Sequence, residues 1–364
     1  MKIIHTADLH LDPAMTAHFD PDTARTRRDE LLRTFERMVA FACDEGVSAI
    51  LIAGDMFDSP ETRELTRNTL LHCIRSDPSL AFFYLKGNHD DYLLKDLAGQ
   101  DERPVNLMLF GPEWSCYECG DVAIYGAELS EGTEGFYDGL QPDPDKINIV
   151  MLHGQISESP DGAEHAIELK KLRGKNIDYL ALGHIHSFSE GRLDDRGVYC
   201  YPGCLEGRGF DECGPRGFVL LDIDEKNRSI SREFIPFASR LIFSVTADVT
   251  GCRSSREMIM KSAEALADAG CEPSSMVRLI LSGELDAECE KDLQYLSAAF
   301  SERYYFFEIA DETRLKINLD DYLLDESLKG EFVRTVCGDD SLSDEDKAFI
   351  VRYGLKALAG EEAD

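Results

Sequence analysis

Five short clusters could do chemistry together: Asp8-Leu9-His10, Gly54-Asp55-Met56-Phe57-Asp58, Gly87-Asn88-His89-Asp90, His153-Gly154 and Gly183-His184-Ile185-His186. Carboxylates and imidazoles suit Mn, Fe and Zn without any thiolate. Two ions held roughly 3.5–4 Å apart need a shared carboxylate and ligands on both flanks, and Asp55 is the best candidate for that bridge. In Asp-x-His and His-x-His on extended chain, residues i and i+2 point to the same side, so one such pair reaches a metal centre together. The adjacent glycines let the backbone turn sharply beside the ions. Any one cluster alone is weak. All five in order, each after a predicted strand, predict a two-metal phosphoesterase.

The elements that must position these clusters are short apolar runs. Residues 2–6, 49–53, 81–86, 122–126, 147–152 and 179–183 read as buried strands. A helix is predicted over 26–45, where Leu31, Leu32, Phe35, Met38, Val39 and Ala42 follow a 3.6 period and Gly46 supplies the stop. A second is predicted over 61–75. Helices between buried strands give an α/β core, and ligands in open α/β sheets gather at the carboxyl ends of strands. A turn-rich stretch follows at 187–217, and a strand over 217–223 closes the first domain.

The character then changes. Residues 241–249 alternate as a half-exposed strand. A helix over 255–269, a strand over 276–281, a helix over 287–300 and a strand over 303–309 complete a small β-α-β-α-β unit. Two terminal helices are predicted over 320–336 and 343–359. Ser343 and Asp346 form a variant capping box, and Phe349, Ile350, Tyr353, Ala357 and Leu358 make one apolar face. That face either packs on its own domain or docks a partner. The predicted organisation is a catalytic domain over 1–238, an α+β capping domain over 239–318 and a helical tail over 319–364.

Composition narrows the class. No run of about 18 apolar residues exists, so no transmembrane helix is expected, and the early His5 and Asp8 do not fit a signal-peptide core. Eleven scattered cysteines, an odd count, fit a reducing cytoplasm better than a disulfide framework. The formal net charge is −32. A stand-alone nucleic-acid binder is expected to carry a positive field, so a polyanionic substrate requires positive charge from metal ions, a local patch or a partner. Of the four histidines outside the clusters, His18, His72 and His165 read as structural. His5 lies close enough to the site to orient a ligand.

The five clusters resemble the pattern of the calcineurin-like metallophosphoesterases: D-x-H, G-D-x-x-D, G-N-H-D, H and G-H-x-H. The resemblance implies a four-layer α-β-β-α sandwich. It implies one metal held by Asp8, His10, Asp55 and His186, and a second held by Asp55, Asn88, His153 and His184. It makes His89 a catalytic residue that stabilises the transition state or protonates the leaving oxygen, oriented by Asp90.

The stretches 3–12 and 201–212, with a small domain after 241, look like the DNA-repair nuclease branch of SbcD/YhaO-type exonucleases. Members cleave DNA with manganese, as 3′-to-5′ exonucleases and also as endonucleases. Many work with an SMC-like ATPase (SbcC-type) that binds a helical region near the nuclease C-terminus, and members often dimerise. Two divalent ions, Mn²⁺ before Fe or Zn, are therefore the expected cofactors. DNA, an SMC-like ATPase and a second copy of the chain are the implied partners, and no membrane is. Some relatives carry a His that assists catalysis where this chain has Asp58, which reads here as a residue that either orients ligands or serves the structure. Arg208, in the family-like stretch, is a candidate phosphate contact. Two alternatives stand beside the nuclease: a phosphodiesterase or phosphatase for another phosphoester, and a non-catalytic scaffold of the same fold.

Overall fold

The computed structural model describes residues 1–15, 19–59, 62–90, 103–129, 135–157, 165–286, 289–316, 322 and 324–359. His18 lies outside them. The chain divides into two compact units, Met1–Ile242 and Phe243–Asp364.

In the first unit the strands are β1 (Lys2–Thr6), β2 (Ala49–Ala53), β3 (Ala81–Leu85), β4 (Leu107–Leu109), β5 (Ser115–Cys119), β6 (Val122–Gly126) and β7 (Ile147–His153). A two-residue ladder follows, β8 (Gln155–Ile156) with β9 (Ala166–Ile167). Then come β10 (Tyr179–Gly183), β11 (Ser189–Arg192), β12 (Val198–Tyr201), β13 (Gly217–Asp224) and β14 (Ser229–Pro236). Two six-stranded sheets result, ordered β14-β13-β1-β2-β3-β4 and β11-β12-β10-β7-β6-β5. The strands that precede the ligand clusters run parallel within each sheet: β1, β2 and β3 in one, β7 and β10 in the other.

Period-2 alternation builds the layers. Ile3, Ala49, Leu51, Phe83 and Leu85 point into the core between the sheets, where they meet Ile124, Ile149, Met151, Tyr179 and Ala181. Their neighbours Ile4, Ile50, Ile52, Phe82 and Tyr84 point the other way. There they pack under helices α1 (Pro21–Asp44) and α2 (Glu64–Ser76). The outer face of the second sheet is covered more thinly, by the turn at Phe136–Gly139 and the one-turn helix α3 (Leu169–Leu172), around Val150, Leu152, Leu180 and Leu182. The α-β-β-α layering is present, and among the described residues its second helical layer consists of these short turns.

Helix α1 starts at Pro21, five residues before the predicted start at 26. Asp20 accepts from the backbone amides of Asp22 and Thr23, and Pro21 sits at the first helical position, which sets the boundary by capping rather than by periodicity. The turn-rich stretch at 187–217 contains two strands, β11 and β12. Strand β14 was absent from the sequence reading. Both β11 and β14 are edge strands with mostly exposed or half-exposed residues, so neither carries the apolar signature of a buried strand.

The second unit has a three-stranded sheet of β15 (Ile242–Asp248), β16 (Met276–Ser282) and β17 (Phe306–Asp311). Helices α4 (Ser255–Asp268) and α5 (Leu293–Ser301) share its core of Met258, Leu266, Val277, Leu279, Leu296 and Phe300. Helix α5 starts at Leu293, not 287, because Asp292 caps it and accepts from the amide of Tyr295. Likewise Ser327 caps α6 (Leu328–Cys337). It pairs with α7 (Asp344–Ala359) around Val333, Val336, Val351 and Leu355. Among its described side chains, α7 buries Val351 and Leu355, while Phe349 and Leu358 of the expected face stay 53% and 40% exposed.

His5 lies on β1, fully buried, with Nδ1 2.9 Å from the hydroxyl of Tyr179. It thus braces the inter-sheet core. Burial pulls its pKa down to about 3, below the usual 6.5. The folded state consequently binds fewer protons than the unfolded chain between those values. Its contribution to stability is complete above about pH 6.5 and falls by about 1.4 kcal/mol per pH unit as pH drops toward 3. Urea unfolding of wild type and His5→Gln between pH 7 and 4.5 should show a shallower acid slope in the variant. Equal slopes would contradict the assignment.

Candidate metal centre

Each ligand cluster sits where a strand runs out, and the backbone there is unusual. Asp8 (φ 51°), His10 (φ 40°), Asp55 (φ 50°) and His184 (φ 99°) all have positive φ, a region that non-glycine residues seldom occupy. Such residues cost of order 1–3 kcal/mol each and persist where the surroundings over-determine them. Here hydrogen bonds do so. Asp8 donates its amide to the Gly54 carbonyl at 3.0 Å, and His10 to that of Asp55 at 2.9 Å. The His184 amide lies 2.9 and 3.0 Å from the two carboxylate oxygens of Asp8. Gly54 (φ +94°) and Gly183 leave the room that the His153 ring fills, since a Cβ at either would overlap Nδ1 of that ring.

The seven expected ligands come together. His10 Nε2 lies 3.2 Å from His186 Nε2 and 3.7 Å from Asp55 Oδ2. On the other side of the same carboxylate oxygen, His153 Nε2 lies 3.3 Å away. Asn88 Oδ1 is 3.0 Å from His153 Nε2 and 3.3 Å from His184 Nδ1. Asp8 joins both sides: its carboxylate clusters with His10 and His186, and also with Asp55 and His153. Asp8, His10, Asp55 and His153 are buried, His184 and His186 half-buried, and Asn88 and His89 exposed. The centre therefore opens to solvent along the Asn88–His89 rim. Beside it a cavity of about 270 Å³ is lined by Lys86, Asn88, Glu128, His153 and His165, among others. His165, which reads as structural in the sequence, faces this cavity.

The donor chemistry fits cations. His153 Nδ1 donates to the Ala53 carbonyl at 2.9 Å, and His186 Nδ1 to Glu212 at 2.8 Å. Were either ring neutral, it would turn a lone pair on Nε2 toward other acceptors, Asp55 and Asn88 for His153, His10 for His186. Acceptors facing acceptors in a buried site need a proton or a metal between them. Without an ion, a proton on His153 takes that place. Burial opposes charge on His153, but the hydrogen bond and charge of Asp55 hold its pKa at about 9. Burial would raise Asp55, yet contact with His153 and the charge of His10 keep it well below the usual carboxylate range. Burial raises Asp8. Burial and the charge of His153 lower His184 to about 4. With three carboxylate or amide side chains, four imidazoles and no thiolate, these residues fit two divalent ions of the Mn, Fe or Zn type.

Asp90 acts differently from the sequence expectation. Its carboxylate accepts from the backbone amides of Met56, Phe57 and Gly87 at 3.0–3.2 Å. It ties the loops after β2 and β3 together rather than gripping the His89 ring, whose Nδ1 lies 3.2 Å from the Asp58 carbonyl. Arg208 is directed at protein carboxylates: Nη1 donates to Asp58 at 2.6 Å and Nη2 to Glu212 at 2.8 Å. Sequence reasoning gave no role to Glu212, which lies 26 residues from His186 on a loop without a ligand motif. The signal that could have found it is a carboxylate in the stretch already singled out at 201–212, close to a histidine that needs its Nδ1 proton held.

Residues 1–188 match the calcineurin-like phosphoesterase family. Over 304 residues the chain is 25% identical to the DNA double-strand break repair protein Mre11 of Methanosarcina mazei, covering 78% of this chain and 45% of that protein. It is 28% identical to the uncharacterized metallophosphoesterase YhaO of Bacillus subtilis, over 78% of this chain and 72% of the relative. With Mre11 of Methanopyrus kandleri it shares 23% identity over its whole length and 83% of the relative. The chain spans about half the length of the two Methanosarcina relatives it matches. The strand-end ligand clusters and the match over the first half of the chain agree, and the protein belongs to the calcineurin-like phosphoesterases.

Proposed function

We propose that this protein is a dinuclear metal-dependent DNA nuclease. The observation that carries the metal half is the convergence of four histidines, Asp8 and Asn88 around the single carboxylate of Asp55. One ion would be held by Asp8, His10, Asp55 and His186, the other by Asp55, Asn88, His153 and His184. Bound there, two divalent ions, Mn²⁺ foremost, would polarise the phosphoryl group and generate a nucleophile from water at neutral pH. The chain's own residues do the rest. Asp8 and Asp55 fix the spacing of the two positions. Nδ1 contacts on His153 and His186 set which nitrogen faces inward. His89, exposed on the rim, would donate a proton to the leaving oxygen or stabilise charge on the phosphoryl oxygens.

The DNA half is supported by relatives named as double-strand break repair proteins. We read residues 1–238 as the nuclease domain, 239–318 as a cap and 319–364 as a segment that docks an SMC-like ATPase. A 3′-to-5′ exonuclease, with or without endonuclease activity, working in the cytoplasm and as a dimer, is the form we propose. The net charge of −32 favours a second reading, a phosphodiesterase for small esters, because DNA binding draws on Lys and Arg. Two ions supply four positive charges at the cleft itself, which reduces that difficulty. End-labelled single-stranded and duplex DNA incubated with Mn²⁺, Mg²⁺ or Zn²⁺ decides between them. Degradation with Mn²⁺ is expected. Fast hydrolysis of bis(p-nitrophenyl) phosphate with intact DNA, even with a candidate ATPase added, would favour the second reading.

A further inference from the structure

The two flanks of Asp55 are built differently. On one, His153 holds its Nδ1 proton on a neutral backbone carbonyl, that of Ala53. His184 presents Nδ1 itself to Asn88. On the other, both imidazoles are backed by carboxylates. His186 Nδ1 lies 2.8 Å from Oε1 of Glu212, which is only 2% exposed. His10 Nδ1 lies 3.3 Å from Oδ1 of Asp58, an ion-pair distance without the alignment of a hydrogen bond. One guanidinium then joins these two carboxylates. Arg208 donates from Nη1 to Asp58 Oδ1 at 2.6 Å. It also donates from Nη2 and Nε to Glu212 Oε1 at 2.8 and 3.1 Å. Its backbone amide donates to Glu212 Oε2 at 2.6 Å.

The loop that carries this unit is itself held. Arg216 donates to the His186 and Cys213 carbonyls and, from Nε, to the Glu212 carbonyl at 3.2 Å. The fully buried Arg27 donates to the Gly207 carbonyl at 2.7 Å. A planar guanidinium with its donors in a rigid fork fixes two carboxylates relative to each other in a way a lysine would not.

We propose that Glu212, Asp58 and Arg208 are a positioning unit for one metal position only, the one on the His10–His186 flank. A carboxylate that accepts a ligand's second N–H fixes the ring's tautomer and orientation and makes the ligating nitrogen more basic. The two positions therefore differ in affinity, with the carboxylate-backed flank the tighter. Arg208 serves that flank rather than phosphate. The inference rests on the dinuclear reading of the site.

Calorimetric titration of the full chain with Mn²⁺ tests it in two backgrounds. His184→Ala leaves the His10–His186 flank, and His186→Ala leaves the other. In the first background, Glu212→Gln is expected to weaken Mn²⁺ binding about 10–100-fold, the usual effect of losing such a partner. In the second it should change binding less than about twofold on the same scale. Should Glu212→Gln fail to fold, Asp58→Asn is expected to weaken Mn²⁺ binding in the first background only, because it removes the negative charge beside His10 and the acceptor that holds Arg208. In the wild-type background, Arg208→Met should lower kcat on bis(p-nitrophenyl) phosphate and leave KM unchanged. Equal losses on both flanks, or none on the first, would overturn the proposal. A raised KM with unchanged Mn²⁺ affinity and kcat would return Arg208 to a phosphate contact. Wild type that binds no Mn²⁺ would instead remove the dinuclear reading on which the proposal stands.

Discussion

His89→Ala is expected to keep its metal and lose its turnover. The ring stands on the open rim, with its centroid 5.1 Å from that of His10. Its Nδ1 is occupied by the Asp58 carbonyl, and its backbone amide donates to Asp55 Oδ1 at 2.9 Å. The backbone contact survives the substitution, so Asp55 should stay in place. What disappears is a side chain able to donate a proton at the solvent-facing edge. General acid–base contributions are typically 10²–10⁴-fold, and kcat on a generic phosphodiester should fall by about that factor. The geometry also groups His89 with His10 and Asp55 as atoms close enough to share an ion. The variant separates these roles. Metal content equal to wild type with low kcat supports the proton-donor role, and loss of one ion would make His89 a ligand.

Asp55→Asn is expected to have the larger effect. Asp55 Oδ2 faces His10 Nε2 on one side and His153 Nε2 on the other, so its charge belongs to both positions. The amide keeps the shape and an oxygen but removes the negative charge that two dications would share. Metal assistance is worth several kcal/mol of charge stabilisation, and each 1.36 kcal/mol is tenfold in rate. A fall of more than about 10³-fold in kcat is therefore expected. His153→Ala provides the comparison, since it touches one flank alone and should spare the other ion. If Asp55→Asn retained most of the wild-type kcat, Asp55 would not be a shared ligand.

Much of the site was legible because it is carried by strand ends. A buried parallel strand announces itself as an unbroken apolar run, and the residue that follows it is fixed at the sheet's edge. Asp8, Asp55, Asn88, His153 and His184 could be read that way, and their meeting followed from strand order. The residues that hold the ligands were not legible, for a physical reason. Glu212 reaches His186 only because Arg216 folds the loop back onto the His186 carbonyl. Asp90 serves amides on two different loops, so its neighbour in sequence, His89, was a poor guide to its partner. The same holds for the fold. Buried strands and long amphipathic helices were readable. Edge strands β11 and β14, and helix starts set by Asp20, Asp292 and Ser327, depend on caps and register that apolar periodicity does not encode.

The last helix of the second unit also departs from the sequence expectation. The predicted apolar face of the last helix includes Phe349 and Leu358, which remain exposed, while Val351 and Leu355 close the pair with Val333 and Val336. A helix of this kind has apolar residues on more than one side, and periodicity alone does not choose which side is inside.

The central claim is that Asp55 joins two metal ions in one centre. Elemental analysis of the full chain, loaded with Mn²⁺ and freed of excess ion by gel filtration, tests it most directly. Two ions per chain are expected for wild type and at most one for Asp55→Asn. One ion or none in the wild-type protein would contradict it.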